Sequence, residues 1–189
     1  METIKQKQVD LSKYNNDWYY PGAGAVKRIL WYIVNALFFI NPLNPSSALK
    51  VWLLKVFGAK VGEGVVIKPS VNIKYPWLLQ LGNHIWIGEH VWIDNLAQVV
   101  IHDNVTLSQG AMLLTGSHDY KKSTFDLLVG TITLKEGTWI GAKATVCPGL
   151  TCGSHSILAA GSIATKDLAP YTIYQGNPAE AKRRREITG

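Results

Sequence analysis

Residues 81–113 read LGNHIWIGEHVWIDNLAQVVIHDNVTLSQGAML, and an aliphatic side chain returns at Leu81, Ile87, Ile93, Ile101, Leu107 and Leu113. The step is six residues, lengthened by two between Ile93 and Ile101. The same beat runs back through Ile73, Ile67 and Val61, and it resumes at Leu134 with Ile140, Val146, Cys152, Leu158, Ala164 and Pro170. Of the fourteen anchors from Val61 to Leu158, thirteen are Leu, Ile or Val, so chance is a poor explanation. Small or branched residues tend to stand four places after an anchor, as at Val65, Val91, Ala97, Ala111 and Ser156. A period of six suits neither a helix nor a long alternating strand. It suits short strands joined by tight turns, three of which close a triangular coil with its anchors stacked on those of the next. Gly62, Gly82, Gly88, Gly141 and Gly153 each follow an anchor directly, which predicts turns that need an unusual backbone angle there. The fold class expected is mainly β, a parallel solenoid.

Upstream of the repeat the pattern is helical. Val26 to Ile40, VKRILWYIVNALFFI, is nearly all apolar after Lys27 and Arg28, and Pro42 and Pro45 stop it. Fifteen residues fall short of the roughly 20 needed to cross a bilayer. A packing helix and a helix lying in a membrane interface both fit. A second helix is expected after Ser46 or Ser47 as N-cap, with Leu49, Trp52, Leu53 and Val56 as its buried stripe and Gly58 as its stop. The organisation predicted is a helical extension over 1–58, a solenoid over 59–178 with a loop protruding at 114–133, and a basic tail over 179–189.

The repeat fails after LLTGSHDY, residues 113–120. A long excursion inside a compact repeat is usually functional or disordered, and His118 stands at its mouth. Asp119 follows and either orients that imidazole or faces solvent. Asp94 and Asn95, nearly one coil earlier, are candidates to bind a substrate or simply form a turn.

Among 189 residues, 47% are hydrophobic and 17% charged, which excludes wholesale disorder. The formal charge of +6 draws on Lys182, Arg183, Arg184 and Arg185, a cluster able to bind phosphates, nucleic acid or an anionic membrane, or merely to be solvated. Cys147 and Cys152 make no disulfide framework and no metal-ligand spacing. Cys152 falls on an anchor, where a small buried hydrophobe is expected. The N-terminal METIKQKQVDLSKYNND is too polar for a signal peptide, so a reducing, cytoplasmic location is expected, at the inner face of the membrane if 26–40 lies on it.

The repeat, and above all GTWIGAKATVCPGLTCGSHSILAAGSIATKDLAPYTIYQGNPA over residues 137–179, resembles the hexapeptide-repeat acyltransferases. Within that superfamily WIDNLAQVVIHDNVTLSQGAMLLTGSHDY is similar to the colanic acid biosynthesis acetyltransferases, and less closely to the maltose and galactoside O-acetyltransferases. The resemblance covers 61 to about 185. It implies a left-handed parallel β-helix, a homotrimer with the donor site between subunits, acetyl-CoA as donor, no metal, no nucleic-acid partner, and a sugar or glycan acceptor. It implies His118 as general base in direct transfer, since an acceptor hydroxyl must lose its proton as it attacks a thioester. Carried over by position, Trp139, Gly141, Ala142, Ala160, Thr165, Lys166 and Arg183 contact the coenzyme, with Gly141 and Ala142 near the oxyanion. Trp139 could equally pack at a subunit contact, and Lys166 could be a turn lysine. N-acetylation of an amino sugar and a non-catalytic solenoid scaffold are the alternatives. Zinc carbonic anhydrases share the fold, but Ser123 and Thr124 stand where their third histidine would fall.

Overall fold

The computed structural model describes residues 7–188. Strands of two or three residues recur from Lys60 to Ala164 and stack into three sheets, the flanks of a triangular prism. The first sheet collects Lys60–Val61, Leu79–Leu81, Val99–Ile101, Ile132–Leu134 and Thr151–Cys152. The second starts at Val66–Ile67 and ends on two longer strands, Thr172–Gly176 and Ala179–Arg184. The third runs from Asn72–Ile73 to Ile163–Ala164. Pairing follows the hexads: Val61 lies beside Leu81, Leu81 beside Ile101, Leu134 beside Cys152 and Ile140 beside Leu158.

From Ile67 to Ala164 every anchor is buried, Cys152 included, while Val61 at the open end is half-buried. Each buried aliphatic contributes about 1.5–3 kcal/mol, so the ladder as a whole binds coil to coil. The last expected anchor is displaced: Pro170 is exposed, and Leu168, bridged to Cys152, fills the core instead.

The glycines that follow anchors are required for a different reason from the one predicted. None of Gly62, Gly82, Gly88, Gly141 and Gly153 is among the residues with positive φ. A Cβ on Gly141 would lie 2.6 Å from the Ala160 nitrogen of the next coil, so close coil stacking excludes any side chain. The left-handed turn comes three residues after the anchor. In the two regular corners it falls on Gly64, Ser70, His84, His90, Asn104, Gly110, Gly137, Lys143, His155 and Gly161. Three of the five histidines are therefore corner residues.

Two helices close the open end. Helix α1, Ala25–Val34, continues into a π-helical turn, Asn35–Ile40, and α2 spans Ser47–Val56 with Ser46 as its N-cap. Both satisfy the exposed edge strands of the first coil. The Trp31 indole donates to Ile73 O at 2.8 Å, and Asn35 bonds to Asn72 Oδ1 at 2.8 Å. On α2 the Ser47 hydroxyl both donates to Ile67 O and accepts from Ile67 N, and Lys50 Nζ donates to Lys68 O at 2.9 Å. The buried stripe of α2 is thus Lys50, Leu53 and Leu54, while Trp52 and Val56 are exposed, a correction to the apolar stripe expected. Burial lowers the pKa of Lys50. Among the described residues no helix is long and apolar enough to cross a membrane.

The excursion is not a loose loop. Gly116–His118 pairs antiparallel with Leu127–Val129 as a hairpin, and the chain is back in the first sheet by Ile132. Thr115, fully buried, pins its base by donating to Asp94 O at 3.0 Å and accepting from Ala97 N at 2.9 Å. The basic tail is likewise ordered through Arg184, as the strand antiparallel to Thr172–Gly176.

Candidate active site

His118 ends the first strand of the hairpin opposite Leu127, and the turn between the strands carries Phe125 back to it. The His118 Nδ1 lies 2.9 Å from Phe125 O. A carbonyl can only accept, so Nδ1 carries the proton and Nε2 keeps a free lone pair. The Phe125 ring stacks on the imidazole at 4.5 Å and 6°, and Tyr14 flanks it at 5.8 Å. Phe125 holds a left-handed φ of 53°, unusual for an aromatic residue. The imidazole is oriented by this carbonyl, whereas Asp119 accepts from Lys121 N at 3.1 Å within the hairpin turn. Asp119 is therefore a turn former, and its expected role in orienting or binding is not what the geometry gives it.

A cavity of about 580 Å³ opens beside His118, walled by Tyr14, Tyr19, Arg28, Lys74, Tyr75 and Leu127. The wall comes largely from the segment before α1. Asp10 N donates to Ser123 O of the hairpin at 2.8 Å, and the Tyr19 hydroxyl donates to Leu96 O in the corner one coil earlier at 2.7 Å, which ties this strap down at two points. Burial is the main cause that drives the Tyr19 pKa far upward, so its phenol stays a hydrogen-bond donor. The polarity of METIKQKQVDLSKYNND, residues 1–17, predicts only that this run is no signal peptide. The aromatic cluster WYY at 18–20 was the one available signal of a wall.

Asp94 lies close by but off the cavity wall, ion-paired with Lys74 Nζ at 2.9 Å. Its link to the cleft wall is that lysine. Asn95 is a correction: it is fully buried, its Oδ1 accepting from Tyr75 N at 2.9 Å and its Nδ2 donating to Tyr75 O at 2.6 Å. With both ends committed it plugs a corner and cannot reach a substrate.

The donor candidates fall into two groups. Trp139 and Arg183 share a second cavity, also about 580 Å³, with Ile157, Ile173, Arg184 and Arg185. Three arginines beside an exposed indole suit a nucleotide bearing phosphates. Gly141, Ala142 and Ala160 stack on the adjoining corner, where Ala142 O accepts from Gly161 N at 2.8 Å. Gly141 N already donates to Leu158 O at 2.8 Å, so it has no proton to offer an oxyanion, whereas Ala142 N makes no hydrogen bond among the described residues. Thr165 and Lys166 are exposed and occupy the other corner, beneath the hairpin. The two cavities share no residue. Among the described residues no three His, Cys, Asp or Glu side chains converge on a metal site.

No protein-family model matches the chain. A protein of Escherichia coli K12 with the provisional name colanic acid biosynthesis acetyltransferase WcaF is 36% identical over 179 residues, 95% of this chain and 98% of the relative. The galactoside O-acetyltransferase of the same strain is 30% identical over 152 residues, 78% of this chain and 74% of its own length. A hexapeptide-repeat acetyltransferase of Vibrio cholerae, solved with acetyl-coenzyme A, shares the fold with a TM-score of 0.78 at 23% identity, over 89% of this chain and 93% of that one. The chain belongs to the hexapeptide-repeat acetyltransferases. Its solenoid is the left-handed parallel β-helix of that family. This acetyltransferase is also similar to a galactoside acetyltransferase solved with coenzyme A, with a TM-score of 0.71 at 26% identity, over 85% of this chain and 82% of that one.

Proposed function

We propose that this acetyltransferase moves the acetyl group of acetyl-CoA to a hydroxyl of a sugar or glycan in bacterial surface-polysaccharide synthesis. The observation that carries the reading is the imidazole of His118, its Nδ1–H held by Phe125 O and its Nε2 left as a base at a polar cleft. The acceptor hydroxyl attacks the thioester carbonyl as Nε2 takes its proton. The tetrahedral intermediate collapses with cleavage of the C–S bond, and the imidazolium returns the proton to the departing thiolate. Products are the O-acetyl ester and free coenzyme A, and Ala142 N–H is the backbone donor left for the oxyanion. Tyr14, Tyr19 and Tyr75 offer ring faces and hydroxyls of the kind that pack on sugars. The names of the E. coli relatives favour a polysaccharide or glycoside acceptor.

The two cavities lie apart on one chain, which supports a site completed between copies; in the homotrimer proposed, the donor groups of one copy meet the His118 cleft of the next. His118→Ala should lower turnover by ~10²–10⁴-fold and leave the Kd for acetyl-CoA unchanged. Turnover at the parent rate would sink the assignment of the base.

A further inference from the structure

Helix α1 and the π-helical turn after it carry two apolar faces. One holds Trp31, Asn35 and Phe39, buried on the first coil. The other holds Val26, Ile29, Leu30, Ile33, Leu37 and Ile40, a run at helical spacing with Ile29 and Leu30 side by side, each at least 43% exposed. A helix seated on a folded domain ordinarily turns a polar face outward. A continuous apolar stripe at the surface marks a contact.

The charge around the stripe says what the contact is. From Trp18 to Gly62 the chain has no acidic residue at all, and it carries Lys27, Arg28, Lys50, Lys55 and Lys60. All but Lys50 are exposed. Trp18, Tyr20, Tyr32 and Trp52, between 58% and 74% exposed, surround the same helices. Such side chains pair an apolar body with a polar tip, as the headgroup layer demands. A second copy packing this face on itself would set cation against cation, and the coils have exposed tryptophans of their own, Trp86, Trp92 and Trp139, for contacts between copies. We infer that the outer face of α1 lies in the surface of an anionic lipid bilayer, parallel to it, with the basic residues among the headgroups. Arg28 belongs to both places, since it also walls the His118 cleft, so docking sets that cleft beside the lipid surface.

The test is cosedimentation of the full-length protein with vesicles of phosphatidylethanolamine and phosphatidylglycerol, against vesicles of phosphatidylcholine alone. Binding to the anionic vesicles, weakened by salt, is expected. The triple variant Ile29→Gln, Leu30→Gln, Ile33→Gln alters only exposed positions, and it should bind at least about tenfold more weakly with the parent melting temperature. Absence of binding, or equal binding by the variant, would overturn the inference. So would a smaller oligomer for the variant in lipid-free sedimentation, because the face would then lie between copies. Acetyl transfer is not in the readout, so failure here leaves the role of His118 standing.

Discussion

Each coil turns from the second sheet to the third and then from the third to the first, and the two corners are built on different terms. The first is the same in all five coils: six residues from anchor to anchor, with a left-handed residue third, at Ser70, His90, Gly110, Lys143 and Gly161. The second differs from coil to coil. It holds a 3₁₀ turn at Pro76–Leu78, the Asn95 plug, the His118 hairpin, and at last a tight turn at Gly149. Regularity belongs where backbone rests on backbone; variation is tolerated where the chain swings clear of the ladder. Lys74, Tyr75, Leu96 and His118, which wall the cleft, all come from the variable corner.

The uniform corner should break first. Gly141→Val drives a side chain against the backbone of Ala160 and Leu158, which cannot yield without parting two coils. A loss of about 3 kcal/mol is expected, read from the denaturant midpoint. A change below about 0.5 kcal/mol would mean that the coils are less tightly stacked than their spacing shows. At the variable corner the costly position is the plug. Asn95→Ala strands the N–H of Tyr75 in a part-buried corner, while its C=O keeps Leu78 N as donor at 3.0 Å, so about 1.5 kcal/mol is expected from the same measurement. Turnover should fall with it, because Tyr75 walls the cleft.

The same contrast decides what could be read from the sequence. The anchors were legible because one rule, an aliphatic side chain every six residues, is repeated until it cannot be missed. The left-handed positions were not, since Ser, His, Asn, Lys and Gly all occupy them and no single residue type marks the site. The α2 stripe was misread because Lys50 is buried for its hydrogen bonds to edge carbonyls, a demand made by a strand not visible in the helix's own pattern. At the candidate site His118 stood out against a broken rhythm. Tyr14, Tyr19 and Arg28 did not, because they reach the cleft from far away in sequence, the tyrosines through a strap with no periodicity and Arg28 from helix α1. Asn95 and Asp94 were adjacent and looked equivalent, yet one points into the corner and the other to Lys74.

The smallest effect concerns the residue that joins hairpin to base. Phe125 contributes two things to His118: a carbonyl that fixes which nitrogen carries the proton, and a ring that fixes the plane of the imidazole. Phe125→Ala removes the ring alone. The hairpin keeps its other ties, Asp119 N to Asp126 O at 2.8 Å and the Lys122–Asp126 ion pair at 2.9 Å, so the melting temperature should barely move. An imidazole free to tilt spends less time aligned with the acceptor hydroxyl, and kcat should fall about tenfold while the KM for acetyl-CoA holds. Phe125→Tyr restores the stacked face and should restore kcat. If the alanine variant turned over at the parent rate, the carbonyl alone would hold the base, and the aromatic ring would be only a cover for the turn. If kcat fell and Phe125→Tyr failed to recover it, the left-handed backbone at 125 rather than the ring would be what aims His118.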